Sequence, residues 1–424
     1  MKVLLVGSGG REHAIAWKIA QSPLLEELIM APGNPGMSRL GRCVPIPPVN
    51  IPELVALAHA EKVDLVVVGP ENPIALGITN RLEKLGIPVF APRSDAAQLE
   101  ASKVWAKSFM RRNRIPTADF EVFSEYDEAK EHVYSVREYP CVIKADGLAG
   151  GKGVFVAKNR AEALLALDTI MIKSKFGAAG REIVVEDFLK GRELSVFVAS
   201  DGFTHRFIGW AVDYKPLLDG DRGPNTGGMG TVSPVPFLGP DDLARIENEV
   251  IRPTFDGLRK EGLLYKGILY FGLMWTSEGP YVLEYNVRMG DPEAQAVLPL
   301  MKNDFLEICV AGVRESMPQI DLMPPEGASC CVVLASEGYP DSPVTGRVIR
   351  GAEISSQIPN VLIFHSGTKE EGGKLLTAGG RVLSVVGLGK DIEEARARAY
   401  EAISKISFEG MIYRKDIGSP GRFQ

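Results

Sequence analysis

Apolar positions in the first hundred residues fall into short runs separated by periodic stretches. Lys2–Val6, Leu28–Ala31, Asp64–Val68 and Pro88–Ala91 are brief, each followed by Gly or Pro. Between them, Pro52–Ala60 places a proline to open a helix and sets Leu54, Val55, Leu57 and Ala58 along one side. Buried strands alternating with helices predict a parallel, doubly wound sheet, whose ligands sit beyond the carboxyl ends of the strands. Those ends read Gly7-Ser8-Gly9-Gly10-Arg11-Glu12-His13, Pro32-Gly33-Asn34 and Gly69-Pro70-Glu71.

The pattern changes near residue 101. Ser102–Asn113 reads as a basic helix, and a charge run of this kind is ordinarily a solvated face. Residues 141–156 read as strand, glycine loop, strand: an apolar run carrying Lys144, then Gly147, Gly150, Gly151 and Gly153, then Val154–Val156. A helix around Arg160–Lys173 and a strand Ile183–Glu186 follow. A short linker from Glu186 to Glu193 then joins two strands. Residues 213–234 show neither helical nor alternating periodicity, and a loop that long is usually functional or disordered. Within Val282–Glu293, strand geometry points Glu284 and Asn286 the same way, with Arg288 on that face. Pro324-Pro325-Glu326-Gly327 marks a last boundary. Beyond it, strands Ser329–Ala335, Val361–Phe364 and Arg381–Gly387 lead to a helix capped by Asp391, with Glu394 in capping-box position.

Composition narrows the class rather than the chemistry. A length of 424 residues implies roughly two to four domains. Hydrophobic content of 45 % with 24 % charge is ordinary for a globular chain, and a net charge of −6 without a basic run argues against nucleic acid. The five cysteines form no Cys-x-x-Cys pair, so neither a zinc site nor a disulfide framework is indicated. No apolar run approaches a membrane span, and the N-terminal run is too short for a signal peptide, leaving the cytoplasm as the expected compartment.

Glycines at the tip of the 141–156 hairpin expose amides that can lie over a polyanion, with Lys144 and Lys152 beside them. Alone, the same pattern fits a glycine-rich hairpin with a solvated lysine, the commoner case. It is not a P-loop, because Asp146 stands where the first glycine belongs and Gly153 where the hydroxyl residue belongs. Nor is Gly7-x-Gly9 a dinucleotide fingerprint, since Glu12 replaces the third glycine. What remains there is a helix start with bare amides at Gly9 and Gly10, suited to an anion. His13 reads equally as a surface residue or a site residue. In the 186–193 linker, backbone groups can hold an adenine edge and Glu193 can accept from ribose hydroxyls, although an ordinary charged turn has the same spacing. Pro224-Asn225-Thr226-Gly227-Gly228-Met229-Gly230 favours a substrate loop over a linker. A carboxylate and an amide oxygen at Glu284 and Asn286 offer hard ligation for Mg²⁺ carrying phosphates. Arg288 can grip a phosphate or carboxylate bidentately.

Lys103, Lys144 with its glycine hairpin, the Glu186–Glu193 linker and Glu284-x-Asn286 together resemble the ATP-grasp superfamily. More narrowly, the chain is similar to the phosphoribosylamine–glycine ligase family, through ordered motifs at 7–13, 69–71, 143–149, 224–230, 286–293 and 413–418. The resemblance implies an α/β fold of ATP-grasp architecture. Its expected parts are an N-terminal doubly wound domain over 1–100, an ATP-grasp domain over 101–325 with a lid at about 117–190, and a C-terminal α+β domain over 326–424. ATP and Mg²⁺ (or Mn²⁺) are the implied cofactors. Glycine and 5-phosphoribosylamine are the implied small-molecule partners of a monomer that binds neither nucleic acid nor membrane.

Residue by residue, the resemblance assigns ATP phosphates to Lys103 and Lys144, closed over by the hairpin with Gly150 and Gly151. It assigns adenine to Glu186 and the Leu189 backbone, ribose to Glu193, and metal to Glu284 and Asn286. Gly9, Gly10, Glu12, His13 and Asp291 fall to the phosphoribosylamine side. Asn225 and Gly227 bind substrate near the reacting carboxylate, and Lys144, Arg288 and Asp213 are the expected catalytic side chains. One departure stands out: many ATP-grasp enzymes carry another carboxylate about twelve residues before the Glu-x-Asn glutamate, and here that position is Gly272. The implied reaction converts glycine's carboxylate to an acyl phosphate, which the amine of phosphoribosylamine then attacks. An ATP-grasp carboxylase shares the nucleotide half but not the 224–230, 286–293 and 413–418 segments, and a catalytically dead nucleotide sensor would have lost a metal ligand or a lysine.

Overall fold

The computed structural model describes residues 1–148 and 153–422, so the tip of the glycine hairpin, with Gly150, Gly151 and Lys152, lies outside the described residues. The N-terminal sheet has five parallel strands in the order Arg42–Cys43, Glu27–Pro32, Lys2–Gly7, Leu65–Val68, Val89–Phe90. The central strands read as unbroken apolar runs because both faces are covered. Their order reverses beside Lys2–Gly7, and Gly7 and Gly69 border the resulting crevice. A Cβ on either glycine would collide with the Glu12 side chain. The first helix, Gly10–Ile19, starts where the glycines predict.

Residues 120–187 build a smaller unit. Its four antiparallel strands run Phe120–Phe123, Ile183–Asp187, Cys141–Ala145, Val154–Ala157. Helices Tyr126–Ser135 and Arg160–Leu167 cover it, enclosing a hydrophobic cluster of its own that includes Val133, Ile143, Leu167 and Val185. Strand Cys141–Ala145 pairs with Val154–Ala157 as the hairpin reading requires.

The third sheet differs most from expectation. Eight antiparallel strands run Pro280–Asn286, Lys266–Trp275, Arg192–Asp201, His205–Asp213, Gly230–Ser233, Ala328–Ala335, Arg381–Gly389, Val361–His365. The sheet therefore continues across the Pro324–Gly327 boundary, because Gly230–Ser233 hydrogen-bonds to Ala328–Ala335. The aperiodic 213–234 stretch holds real structure. It contains a two-stranded hairpin, Pro216–Leu218 with Arg222–Asn225, and then the short strand Gly230–Ser233. Its strands are too short for period two to register. The strand Pro280–Asn286 is an edge of the sheet rather than an interior member, but Val282 and Tyr285 are buried. The last helix, Ile392–Ile403, is capped by Asp391, whose carboxylate accepts from the Glu394 amide at 2.9 Å. Among the described residues no helix is long and apolar enough to cross a membrane.

Candidate active site

A cavity of about 480 Å³ opens where the three sheets meet. One part of its wall is apolar, formed by Val142, Val154 and Val156 of the lid hairpin with Phe188, Leu189, Met274 and Leu283. The rest is dense in charge.

Lys144 leaves a fully buried strand, donates to the Leu283 carbonyl at 3.2 Å and ion-pairs with Oε1 of Glu186. The other oxygen of Glu186 faces Lys107. Burial alone would raise the Glu186 carboxyl, but the Lys144 and Lys107 ammoniums outweigh it and hold it below the usual range. Lys107 is 2 % exposed, donates to Thr117 at 2.7 Å and is pulled down to about 8 by burial, against the opposing attraction of Glu186. The basic helix, Lys103–Arg112, is thus not simply a solvated face: the Lys103 and Lys107 side, one turn apart, turns into the wall. Glu186 reaches the cavity, but its carboxylate is taken up by two lysines.

Lys103 donates to the Gly147 carbonyl at 3.2 Å. Asp146 ties the hairpin root to this helix, accepting from Ser102 Oγ and the Val104 amide, each at 2.8 Å, while its carbonyl accepts from the Lys103 amide. The start of the helix and the base of the hairpin are therefore tied together by these three hydrogen bonds.

Glu284 and Asn286 both line the cavity, as their spacing predicts. The Glu284 side chain makes no hydrogen bond or ion pair with any described residue, and among those residues the buried Asn286 Nδ2 has no partner. Burial would raise Glu284, but Lys215, Lys144 and Lys103 hold it below the usual carboxylate range. A free carboxylate and an unengaged amide, both open to the cavity, fit a hard divalent cation. The position at which many ATP-grasp enzymes carry a further acid lies beside Glu284. Gly272 pairs directly with Glu284, and a Cβ there would stand 3.1 Å from the Glu284 Cγ. The nearby space instead holds Lys215, whose ammonium donates to Glu193 at 2.8 Å and is raised well above the ordinary lysine value chiefly by that carboxylate.

Opposite charges interlock in the remaining wall. Arg288 binds Glu71 at 3.1 Å and Glu100 at 2.7 Å. Burial pushes Glu100 up to about 7, whereas Glu71 is held at about 2, the Arg288 and Arg11 charges overcoming its burial. Asp213 is pushed well up, first by burial and then by the neighbouring Glu293 carboxylate, and its buried Oδ1 has no partner. Arg381, from the far end of the chain, donates to the carbonyls of Gly227 and Asp291 and faces the Asp291 carboxylate at 3.4 Å. It joins the two glycine-containing segments across the mouth of the site.

Lys103, Lys144, Glu186, Leu189, Glu193, Asp213, Asn225, Gly227, Glu284, Asn286, Arg288 and Asp291 all line this cavity. Gly9, Gly10, Glu12 and His13 do not, although Arg11 between them does. The Glu12 carboxylate is consumed locally, accepting from the Gly9 amide at 2.7 Å and Arg11 Nε at 2.6 Å. The Asp291 carboxylate lies against the helix start, 3.5 Å from the Arg11 amide. Gly10 is packed against Gln295 and Ser366. His13 turns away to Phe364, and its Nδ1 accepts from the His365 amide at 2.8 Å. The sequence reading missed Lys107, Lys215, Glu100 and Arg381 as wall residues. The four-residue spacing from Lys103 marks Lys107, but nothing local marks Arg381.

Three family descriptions match in chain order: Phosphoribosylglycinamide synthetase N domain over residues 1–100, its ATP-grasp (A) domain over 101–294 and its C domain over 329–420. The chain belongs to the phosphoribosylamine–glycine ligase family. It is 46 % identical over 422 residues to the phosphoribosylamine–glycine ligase of Chlorobaculum tepidum, covering 99 % of each chain. The enzyme of Caldanaerobacter subterraneus is 45 % identical, over 99 % of this chain and all of its own. The crystal structure of the Thermotoga maritima phosphoribosylamine–glycine ligase superposes with a TM-score of 0.86 at 38 % identity, over 98 % of this chain and 100 % of that one. A Hydrogenobacter thermophilus biotin carboxylase domain, solved with MgADP and bicarbonate, shares the fold alone, with a TM-score of 0.75 at 16 % identity over 97 % of this chain and 91 % of that one. The architecture is that of an ATP-grasp ligase.

Proposed function

We propose that this chain is the ATP-dependent ligase that joins glycine to 5-phosphoribosylamine, giving glycinamide ribonucleotide, ADP and phosphate in purine biosynthesis. The observation that carries this reading is the convergence on one cavity of an apolar cleft, four lysines and the Glu284–Asn286 pair, next to an arginine-rich wall. A purine ring fits between Val142, Val156 and Leu189, and Lys103 and Lys144 present ammoniums to phosphate oxygens. Glu284 and Asn286 would hold Mg²⁺, or Mn²⁺ in its place, which when bound neutralises phosphate charge and polarises the transferring phosphoryl group.

In the first step a glycine carboxylate oxygen bonds to the γ-phosphorus of ATP as the bond to ADP breaks. Lys144 and Lys215 stabilise the charge that shifts onto phosphate and ADP oxygens. Arg288 and Arg381 orient the carboxylate, and Asp213, biased toward its protonated form, can donate to the second oxygen. In the second step the amine nitrogen attacks the acyl carbon, phosphate leaves, and the nitrogen gives up one proton to a wall carboxylate or solvent. Closure of the hairpin keeps water from the acyl phosphate. No enzyme nucleophile is needed.

The test is ADP release with Mg²⁺-ATP, glycine and freshly prepared phosphoribosylamine, omitting each in turn. Release that requires both substrates, with glycinamide ribonucleotide accumulating, supports the ligase. Release driven instead by bicarbonate and an aminoimidazole ribonucleotide would replace it with a carboxylase. ATP binding without turnover in any combination would replace it with a sensor.

A further inference from the structure

The tail Tyr413–Gly418 does not line the cavity, yet it contains Arg414, an arginine with no exposed surface. Its partners lie on the hairpin Pro216–Leu218/Arg222–Asn225 with its turn, and on the tail itself. Nη1 donates to the Pro216 carbonyl and to Asp221 Oδ1, both at 3.0 Å. Nε and Nη2 donate to the two oxygens of Asp416 at 2.7 and 2.6 Å, and the guanidinium lies 5.2 Å from the centre of the Tyr214 ring. Asp416 in turn accepts from the Gly220 amide at 2.9 Å, and Asp219 accepts from the Lys415 amide at 2.7 Å.

This hairpin cannot hold its own shape. Arg222–Asn225 are all exposed, and Leu218 is 45 % exposed, so it has no apolar core. Two-stranded hairpins without further packing are marginal in water. Asp221, in the turn, adopts a left-handed backbone with φ of +56°, a conformation uncommon outside glycine. Both arms nevertheless run into the active site. Lys215 precedes the hairpin and Asn225–Gly227 close it, and the Lys215 carbonyl accepts from both the Thr226 amide and hydroxyl, at 2.8 and 2.7 Å. The tail is anchored on the opposite side, where Tyr400 donates to the Arg414 carbonyl at 2.7 Å and Arg396 to the Lys415 carbonyl at 2.8 Å.

We propose that Arg414 is a positioning residue for ligation, holding the hairpin so that Lys215 and the Asn225–Gly227 backbone face the reacting groups. This rests on the ligase reading for its substrates, though not for its geometry. The planar fork is essential, because it satisfies the Pro216 carbonyl, Asp221 and both Asp416 oxygens at once. A lysine ammonium, a single point of charge, cannot span them.

Arg414→Lys preserves charge and tests the fork. Expected results are a fall of about tenfold or more in kcat/KM for glycine, since sub-ångström misplacement weakens a reacting geometry steeply. ATP affinity should stay within roughly threefold and Tm within a few degrees. Amide hydrogen exchange across 216–226 should accelerate in the variant. Asp221→Asn, on the half-exposed side of the contact, should show the same pattern more weakly, and covers the case in which Arg414→Lys fails to fold. Added guanidinium should restore part of the lost rate in Arg414→Ala. Wild-type glycine kinetics in Arg414→Lys, or losses that fall equally on ATP binding and stability, would overturn the proposal. So would unchanged exchange across 216–226. That readout does not depend on the substrates, whereas an inactive wild-type enzyme would count against the ligase reading alone.

Discussion

Lys144 and Lys107 grip opposite oxygens of the Glu186 carboxylate, all three side chains being buried beside the apolar cleft. Removing the carboxylate leaves two ammoniums facing each other without compensation. Breaking a buried charge pair on one side costs about 3–5 kcal/mol. Glu186→Gln should therefore lower Tm and weaken ATP binding at least tenfold. Adding Lys107→Met removes the excess charge and should recover much of the lost stability. A double-mutant cycle read by denaturant unfolding should give a coupling of ~1 kcal/mol or more. Additive effects would show that the triad does not act as a unit.

What was legible in the sequence is what depends on neighbours along the chain. Strand periodicity places Glu284 beside Asn286, and the glycine spacing marks the hairpin that carries Lys144. The parallel N-terminal sheet follows from apolar runs that end in Gly or Pro. What was not legible depends on distant chain. The helix start at Gly9–Gly10 reads as an open anion site, but Asp291, 280 residues beyond Arg11, lies against it. Arg381 reaches the site only because Arg381–Gly389 extends the central sheet, a pairing no local pattern announces. The tail 413–418 carries no periodicity. Its meaning lies in the Asp219–Asp221 turn it holds from some 200 residues away.

Lys215 supplies a cation where Gly272 withholds a carboxylate. Surrounded by Glu193, Glu284 and Asp213, its charge is poised for a phosphoryl group that gains negative character during transfer. Lys215→Met should reduce kcat about 100-fold, the scale of losing one preorganised electrostatic contact. ATP affinity, which the proposed function assigns to Lys103, Lys144 and the apolar cleft, should change by less than about fivefold. Steady-state ADP release together with calorimetric ATP titration separates the two. An equal loss in both would assign Lys215 to ground-state binding instead.

Lys215, Lys144 and Lys103 hold Glu284 below the usual carboxylate range, and its side chain has no hydrogen-bond partner among the described residues, so its substitution should act chiefly on the metal. Glu284→Gln keeps the shape and an oxygen donor but removes the charge. The Mg²⁺ concentration for half-maximal ADP release should rise roughly tenfold or more, consistent with losing a ligand's charge. Thermal unfolding without Mg²⁺ should show a modest destabilisation, because the lysines that hold Glu284 below the usual range lose part of their compensation. An unchanged Mg²⁺ dependence would remove Glu284 from the metal site.

His13 and His365 are buried against each other where the first helix meets the C-terminal strands, with ring centroids 5.6 Å apart. Burial lowers them to about 3 and about 4, and repulsion between the two rings adds to the shift at His13. Both folded values lie below the ordinary 6.5, so the fold favours the neutral rings. Their contribution is fully present above pH 6.5 and is lost as pH falls from there toward 4, by up to ~1.4 kcal/mol per pH unit for each ring. Glu100, pushed up to about 7, and Asp213, pushed well up, bind protons in the folded chain over the same pH range and oppose this loss, so the histidine contribution is read by comparing the slope of Tm against pH between 6.5 and 5 in the wild type and in a His13 variant. The slope should be shallower in His13→Asn, whose amide oxygen can still accept from the His365 amide. A parallel slope in the variant would mean that protonation elsewhere drives the acid sensitivity.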